Sequence, residues 1–178
     1  MNTDLIRKTD PEIARVIHDE AMRQQTHLAF KEALGAPFKA YQKNVLGNAA
    51  TLADSLKAHG LDLVSGGTDN HLMLVNLTRL GITGRDAEIA LGRAGITVNK
   101  NAIPFETHGP NVTSGIRIGT PYVTSRGMLA EQVKVIGSLI ADVLQDPEDE
   151  TLLMRTKSQV QRLCDTFPLY PQTDDHRL

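Results

Sequence analysis

The chain has 178 residues, 40% of them hydrophobic and 22% charged, with a formal net charge of -2; this is the composition of one ordinary soluble domain, or one domain with an appendage. A near-neutral balance with 4% aromatic residues offers neither attraction for a phosphate backbone nor stacking platforms for bases, so nucleic acid is excluded as a partner. No apolar run approaches a membrane span, MNTDLIRKTDPE lacks a signal peptide's apolar core, and a lone cysteine, Cys164, forbids an intramolecular disulfide, so a cytoplasmic location is expected.

Asp10-Pro11-Glu12 opens the first predicted helix. A capping acid, a proline at the first helical position and an acid in the first turn are start signals. Ile13, Val16, Ile17 and Ala21 then form a narrow apolar stripe to about Thr26, which needs a partner surface. A second helical region covers Ala29 to His59 and stops at Gly60, with Gly35, Pro37 and Gly47 as breaks or bends.

DLVSGG reads as a short strand running into a glycine turn, and HLMLVNL (71–77) as a buried strand. In SGGTDNH between them the spacing is wrong for a phosphate cradle, and Asp69 and Asn70 bonding their own backbone is the turn chemistry. Thr83 to Asp86 is a capping box for a helix through Ala94, closed by Gly95. ITVN (96–99) alternates as a strand, and a loop with two prolines covers Lys100 to Val112. In NKN, Asn99 and Asn101 share one side and Lys100 takes the other; taken alone, the two carboxamides cap a turn.

TSGIRIGTP (113–121) places Arg117 between Ile116 and Ile118. Alternation sends the isoleucines into a core and the arginine outward, and Gly115 and Gly119 leave room for close approach on the arginine side. Arg117 then either grips a carboxylate or phosphate, or pairs with an acid of its own chain. Two helices follow. Val133, Ile136, Ile140, Val143 and Leu144 share a face of the first; Asp146-Pro147 starts the second, with Leu153, Val160, Leu163 and Phe167 as its stripe. Cys164 lies on that apolar side as a small core residue. The six histidines are scattered without a metal-ligand spacing. The body is α/β, and the residues after Pro171 are expected to be disordered.

DLVSGGTDNHLMLVNL, GITVNKNAIPFE, TSGIRIGTPYVTSRG and FPLYP together resemble the small C-terminal domain of serine hydroxymethyltransferase, a pyridoxal phosphate enzyme of fold type I. TDPEIARVIHDEAMRQQTHL resembles the extreme N-terminus of that family, an arm helix that packs on the partner subunit. The resemblance implies an α/β domain over 29–171, with a short, mostly antiparallel sheet and helices packed on it, an arm over 1–28 and a tail over 172–178. It implies that the large cofactor domain between arm and C-terminal domain is missing, since Ala29-Phe30-Lys31 leads straight into the latter. No Schiff-base lysine motif can be placed, so no pyridoxal phosphate and no catalytic residue is expected on this chain alone.

Two positions carry over. Arg117 matches the family arginine that binds the substrate carboxylate, and Asn101 the asparagine that contacts the pterin of tetrahydrofolate. The family reaction, serine and tetrahydrofolate to glycine and methylenetetrahydrofolate, is expected to be silent here without the missing part. The alternative is a non-catalytic subunit that self-associates or binds a full-length homologue.

Overall fold

The computed structural model describes residues 32–169 together with Ile13 and Arg15. The predicted arm helix, those two residues apart, and the tail after Pro171 lie outside the described residues. The chain divides into two compact units, 1–42 and 43–178; α1 (Ala36–Ala58) begins in the first and ends in the second. Gly35 sits at a bend before α1 and Pro37 falls in its first turn, where a missing N–H costs nothing. The helix runs through Gly47 without a break. At the other end Gly60 adopts φ +82. Its N–H donates to Lys57 O (2.9 Å) while that of Leu61 donates to Leu56 O (3.1 Å), closing the helix.

In the larger unit the buried stripe of α1 is Val45, Asn48, Ala49, Leu52, Ala53 and Leu56. Four strands follow in one antiparallel sheet: β1 (Asp62–Leu63), β2 (Leu72–Asn76), β3 (Asn99–Asn101) and β4 (Gly115–Gly119), in the order β1-β2-β4-β3. The central pair, β2 and β4, is in register over five residues, Leu72 opposite Gly119 through Asn76 opposite Gly115. β2 was expected to be buried, yet only Met73 and Val75 are; Leu72 and Leu74 are half-buried because one face of the sheet is left open. Met73, Val75, Ile116 and Ile118 point to the other face and join the core.

That core is closed by helices. The capping box forms as predicted: Asp86 N donates to Thr83 Oγ1 (3.1 Å) and Thr83 N to Asp86 Oδ2 (3.2 Å), starting α2 (Gly84–Arg93). Gly95, at φ +81, ends the turn that follows it. The strand predicted over ITVN lies three residues later, at NKN. Ile96 cannot join the ladder there, because its N–H donates to Leu91 O (2.8 Å) in closing α2.

After β4 comes a short helix that the periodicity did not show, α3 (Pro121–Ser125), then α4 (Ala130–Gln145) and α5 (Glu150–Thr166). Val133, Ile140, Val143 and Leu144 of α4 are buried. Gly137 lets α4 lie directly on Ser55 and Leu52 of α1, where a Cβ would stand 2.8 Å from Ser55 Cβ. α5 starts at Glu150 and not at Asp146-Pro147. Asp149 is the cap, with Oδ1 accepting from Thr151 N (2.8 Å) and Leu152 N (3.1 Å), while Asp146 closes α4. Cys164 is half-buried, at the rim of the core.

A buried polar network ties the end of β4 to α1. Asn48 Nδ2 donates to Thr124 Oγ1 and Met128 O, both at 2.9 Å; Thr124 Oγ1 donates to Thr120 O (2.8 Å), and Thr120 Oγ1 to Val45 O (3.0 Å). Asn48→Ala leaves the Met128 carbonyl without that donor inside the core. The expected loss is about 1–3 kcal/mol, read as a lower urea midpoint at unchanged slope; an unchanged midpoint would show that the network does not hold β4.

Candidate functional site

The pleat of β4 sets the geometry of the site. Ile116 and Ile118 are buried and Arg117 is exposed on the opposite face, as alternation requires. Arg117 stands opposite Leu74 of β2 on one side and Asn99 of β3 on the other. Asn101 pairs with Gly115, so it shares this open face with Arg117, roughly 7–8 Å away as a diagonal neighbour. Asn76 lies on the same face and donates from Nδ2 to Asp62 Oδ2 (3.1 Å). Among the described residues no acid forms an ion pair with Arg117.

Lys100 takes the other side. Its Nζ meets Glu88 Oε2 of α2 at 3.0 Å, and its N–H donates to Glu88 Oε1 (3.1 Å). The side-chain hydrogen bond, then the backbone one, hold the Glu88 carboxyl below its ordinary value. Asn101 donates from Nδ2 to Ala102 O (2.7 Å), which is the turn-capping contact; its oxygen and second N–H remain for another group.

Gly115 does not leave the arginine side open. A Cβ there would lie 2.7 Å from Val75 O and 3.2 Å from Asn101 O, and would meet the Ile103 side chain. The close approach is made by the chain's own loop. Gly119 is less crowded, its nearest atom being His71 O at 3.5 Å.

That loop, 102–114, borders the open face and is held from within by Glu106. Its carboxylate accepts from Ser114 Oγ (2.6 Å), Ser114 N (2.8 Å), His108 N (2.9 Å), Thr107 N (3.0 Å) and Ile103 N (3.3 Å). These donors, the Ser114 hydroxyl foremost and the His108 amide next, lower its pKa from 4.5 to about 2. The loop also satisfies the start of α2: Gly84 N donates to Thr113 O and Arg85 N to Val112 O, both at 3.0 Å. Thr113 pays for this with φ +58, a strained conformation for a β-branched residue. Phe105, next to the hub, has φ +61 and is 99% exposed.

The second arginine of the run behaves differently. Arg126 donates from Nη1 to Phe167 O (2.7 Å) and Cys164 O (3.2 Å), and from Nη2 to Tyr122 Oη (3.2 Å), so it caps the end of α5.

Residues 25–140 match the model of the family described as serine hydroxymethyltransferase. The chain belongs to the serine hydroxymethyltransferase family. Over 143 residues it is 52% identical to the serine hydroxymethyltransferases of Legionella pneumophila strains Corby and Lens, an alignment that covers 80% of this chain and 34% of each relative. The chain therefore spans about a third of the length of the curated relatives it matches. The serine hydroxymethyltransferase resemblance singled out Arg117 and Asn101, and the sheet puts both on one face. It did not single out Asn99, whose place opposite Arg117 depends on strand register, nor Glu106, whose partners are spread over twelve residues without a periodic signal.

Glu106 makes the stability of this loop depend on pH. A carboxyl with a lowered folded value contributes stability that is present above about 4.5 and lost as pH falls toward about 2. Amide exchange at Ser114 and His108 should rise through that window, and Glu106→Gln should show the faster exchange already at pH 7. Exchange that ignores both acid and substitution would remove Glu106 as the loop's anchor.

Proposed function

We propose that this chain supplies the carboxylate-binding and folate-contacting part of a serine hydroxymethyltransferase site, with residues 29–171 as the domain that carries it. The observation that supports it most is Arg117: a permanent charge on an open sheet face, without an acidic partner among the described residues, at the position that matches the family's substrate arginine. Its planar fork suits the carboxylate of serine or glycine. Asn101, with an oxygen and one N–H left over, suits the donors and acceptors of a pterin ring.

Pyridoxal phosphate does not fit the described residues. A covalent site needs an amine near Arg117, and Lys100, the lysine on the neighbouring strand, is turned to the helix side and engaged by Glu88. No step through that cofactor is assigned to this chain. The amino acid held by Arg117 needs its α-carbon activated by groups other than the described residues. Arg117 alone contributes about 1.5–3 kcal/mol through a charge-assisted bond, against roughly 4 kcal/mol for millimolar affinity. Binding of glycine by the chain alone should therefore be millimolar or weaker.

The test is serine cleavage with pyridoxal phosphate and tetrahydrofolate, on the purified chain and on its mixture with a polypeptide carrying the rest of the family's length. Turnover is expected only in the mixture, and Arg117→Ala there should raise the KM for serine by about 10–100-fold, the equivalent of the lost charged bond. Turnover by the chain alone, or a mixture indifferent to Arg117, contradicts the reading.

Phe105 favours a second reading, an interaction subunit that self-associates or joins a full-length homologue. A fully exposed ring on a loop pinned by five hydrogen bonds is an apolar contact held ready rather than a floppy tip. Light scattering with and without the full-length enzyme separates the cases: a complex or dimer that Phe105→Ser weakens supports it, and a monomer in both samples sinks it.

A further inference from the structure

The two asparagines that β3 places on the open face are engaged differently. Asn101 commits one amide hydrogen to Ala102 O (2.7 Å), whereas Asn99 is exposed and makes no side-chain hydrogen bond among the described residues. Strand register sets Asn99 directly opposite Arg117. Side chains paired in this way share a face, with Cβ atoms about 4.5–5.5 Å apart. A free carboxamide thus stands beside a guanidinium that has no acidic partner among the described residues.

The two flanks of Arg117 differ in chemistry. On the β2 side its neighbour is Leu74, half-buried and apolar; on the β3 side it is Asn99, with Asn101 beyond. Leucine and asparagine are both much shorter than arginine, so each flank leaves a step beside the arginine stem. Only the step on the β3 side has a polar floor. A carboxylate set against apolar carbon loses hydration without compensation. Its two oxygens carry about four acceptor sites, of which a guanidinium fork fills two. The amide of Asn99 is placed to fill a third.

We propose that Asn99 is a second ligand-contacting residue of this site: its Nδ2 donates to the carboxylate that Arg117 grips and draws the ligand onto the β3 flank. The inference rests on the reading of Arg117 as the carboxylate-binding residue. It gives the open face a direction. The amino acid lies on the same side as Asn101, the proposed pterin contact, as transfer of one carbon between the two molecules requires. Position 99 also has to be neutral, because an acid there would occupy the fork itself.

The test is an NMR titration of the full chain with acetate at low salt, following the side-chain NH2 signals of Asn99 and the Nε–H of Arg117 together. Both are expected to shift with a single dissociation constant. Asn99→Ala should weaken acetate by about 3–10-fold, the equivalent of one net hydrogen bond. Asn99→Asp keeps the size and adds a charge; it should pair with Arg117, abolish the acetate response and protect the Nε–H from exchange with water. Asn99 signals that stay still while Arg117 responds, or an acetate affinity that neither substitution changes, overturn this inference and leave the role of Arg117 standing. An Arg117 signal that ignores acetate in the unsubstituted chain overturns both.

Discussion

The five-residue antiparallel pairing of β4 with β2 is the constraint on which the rest depends. Once Ile116 and Ile118 face the core, the pleat leaves Arg117 no choice of side, and a slip of one residue would bury the guanidinium and expose both isoleucines. The same pairing gives Arg117 its neighbours, Leu74 and Asn99. Burial of two isoleucines is worth several kcal/mol, at about 1.5–3 kcal/mol each. Core packing thus fixes the direction of a side chain that itself contributes nothing to the core.

The ends of β4 are fixed by polar rather than apolar contacts. At its C-terminal end Thr120 and Thr124 connect through Asn48 to α1. At its N-terminal end Thr113 sits in a left-handed conformation because its carbonyl and that of Val112 cap α2, while Glu106 gathers the loop beside it. Strain at Thr113 and five donors on one carboxylate are opposing terms of a single arrangement. The result is a loop border to the open face that is held by contacts within the chain.

The local signals were legible in the sequence. The Thr83–Asp86 box, Gly60, Gly95 and the Ile-Arg-Ile alternation all act within a few residues, and each has the role its chemistry dictates. β3 was misplaced by three residues because Ile96 belongs to the closure of α2, a contact the alternation of ITVN does not register. The start of α5 was placed at Asp146-Pro147 since Asp149 offers the same capping chemistry three residues on. The Asn48 network joins residues 76 and 80 apart, and no spacing rule reaches that far. The two arginines of TSGIRIGTPYVTSRG look alike in sequence, yet one closes a helix and the other faces outward.

Membership of the serine hydroxymethyltransferase family rests on residues 25–140 and on relatives three times as long as the matched segment. What decides the chemistry is narrower: a guanidinium presented by the sheet, without an acidic partner among the described residues. Side-chain NMR of Arg117 measures this directly, by following its Nε–H signal as acetate is added at low salt. The account predicts rapid exchange with water and a shift that grows with acetate. A protected Nε–H that ignores acetate would mean that an acid of the same chain already holds it.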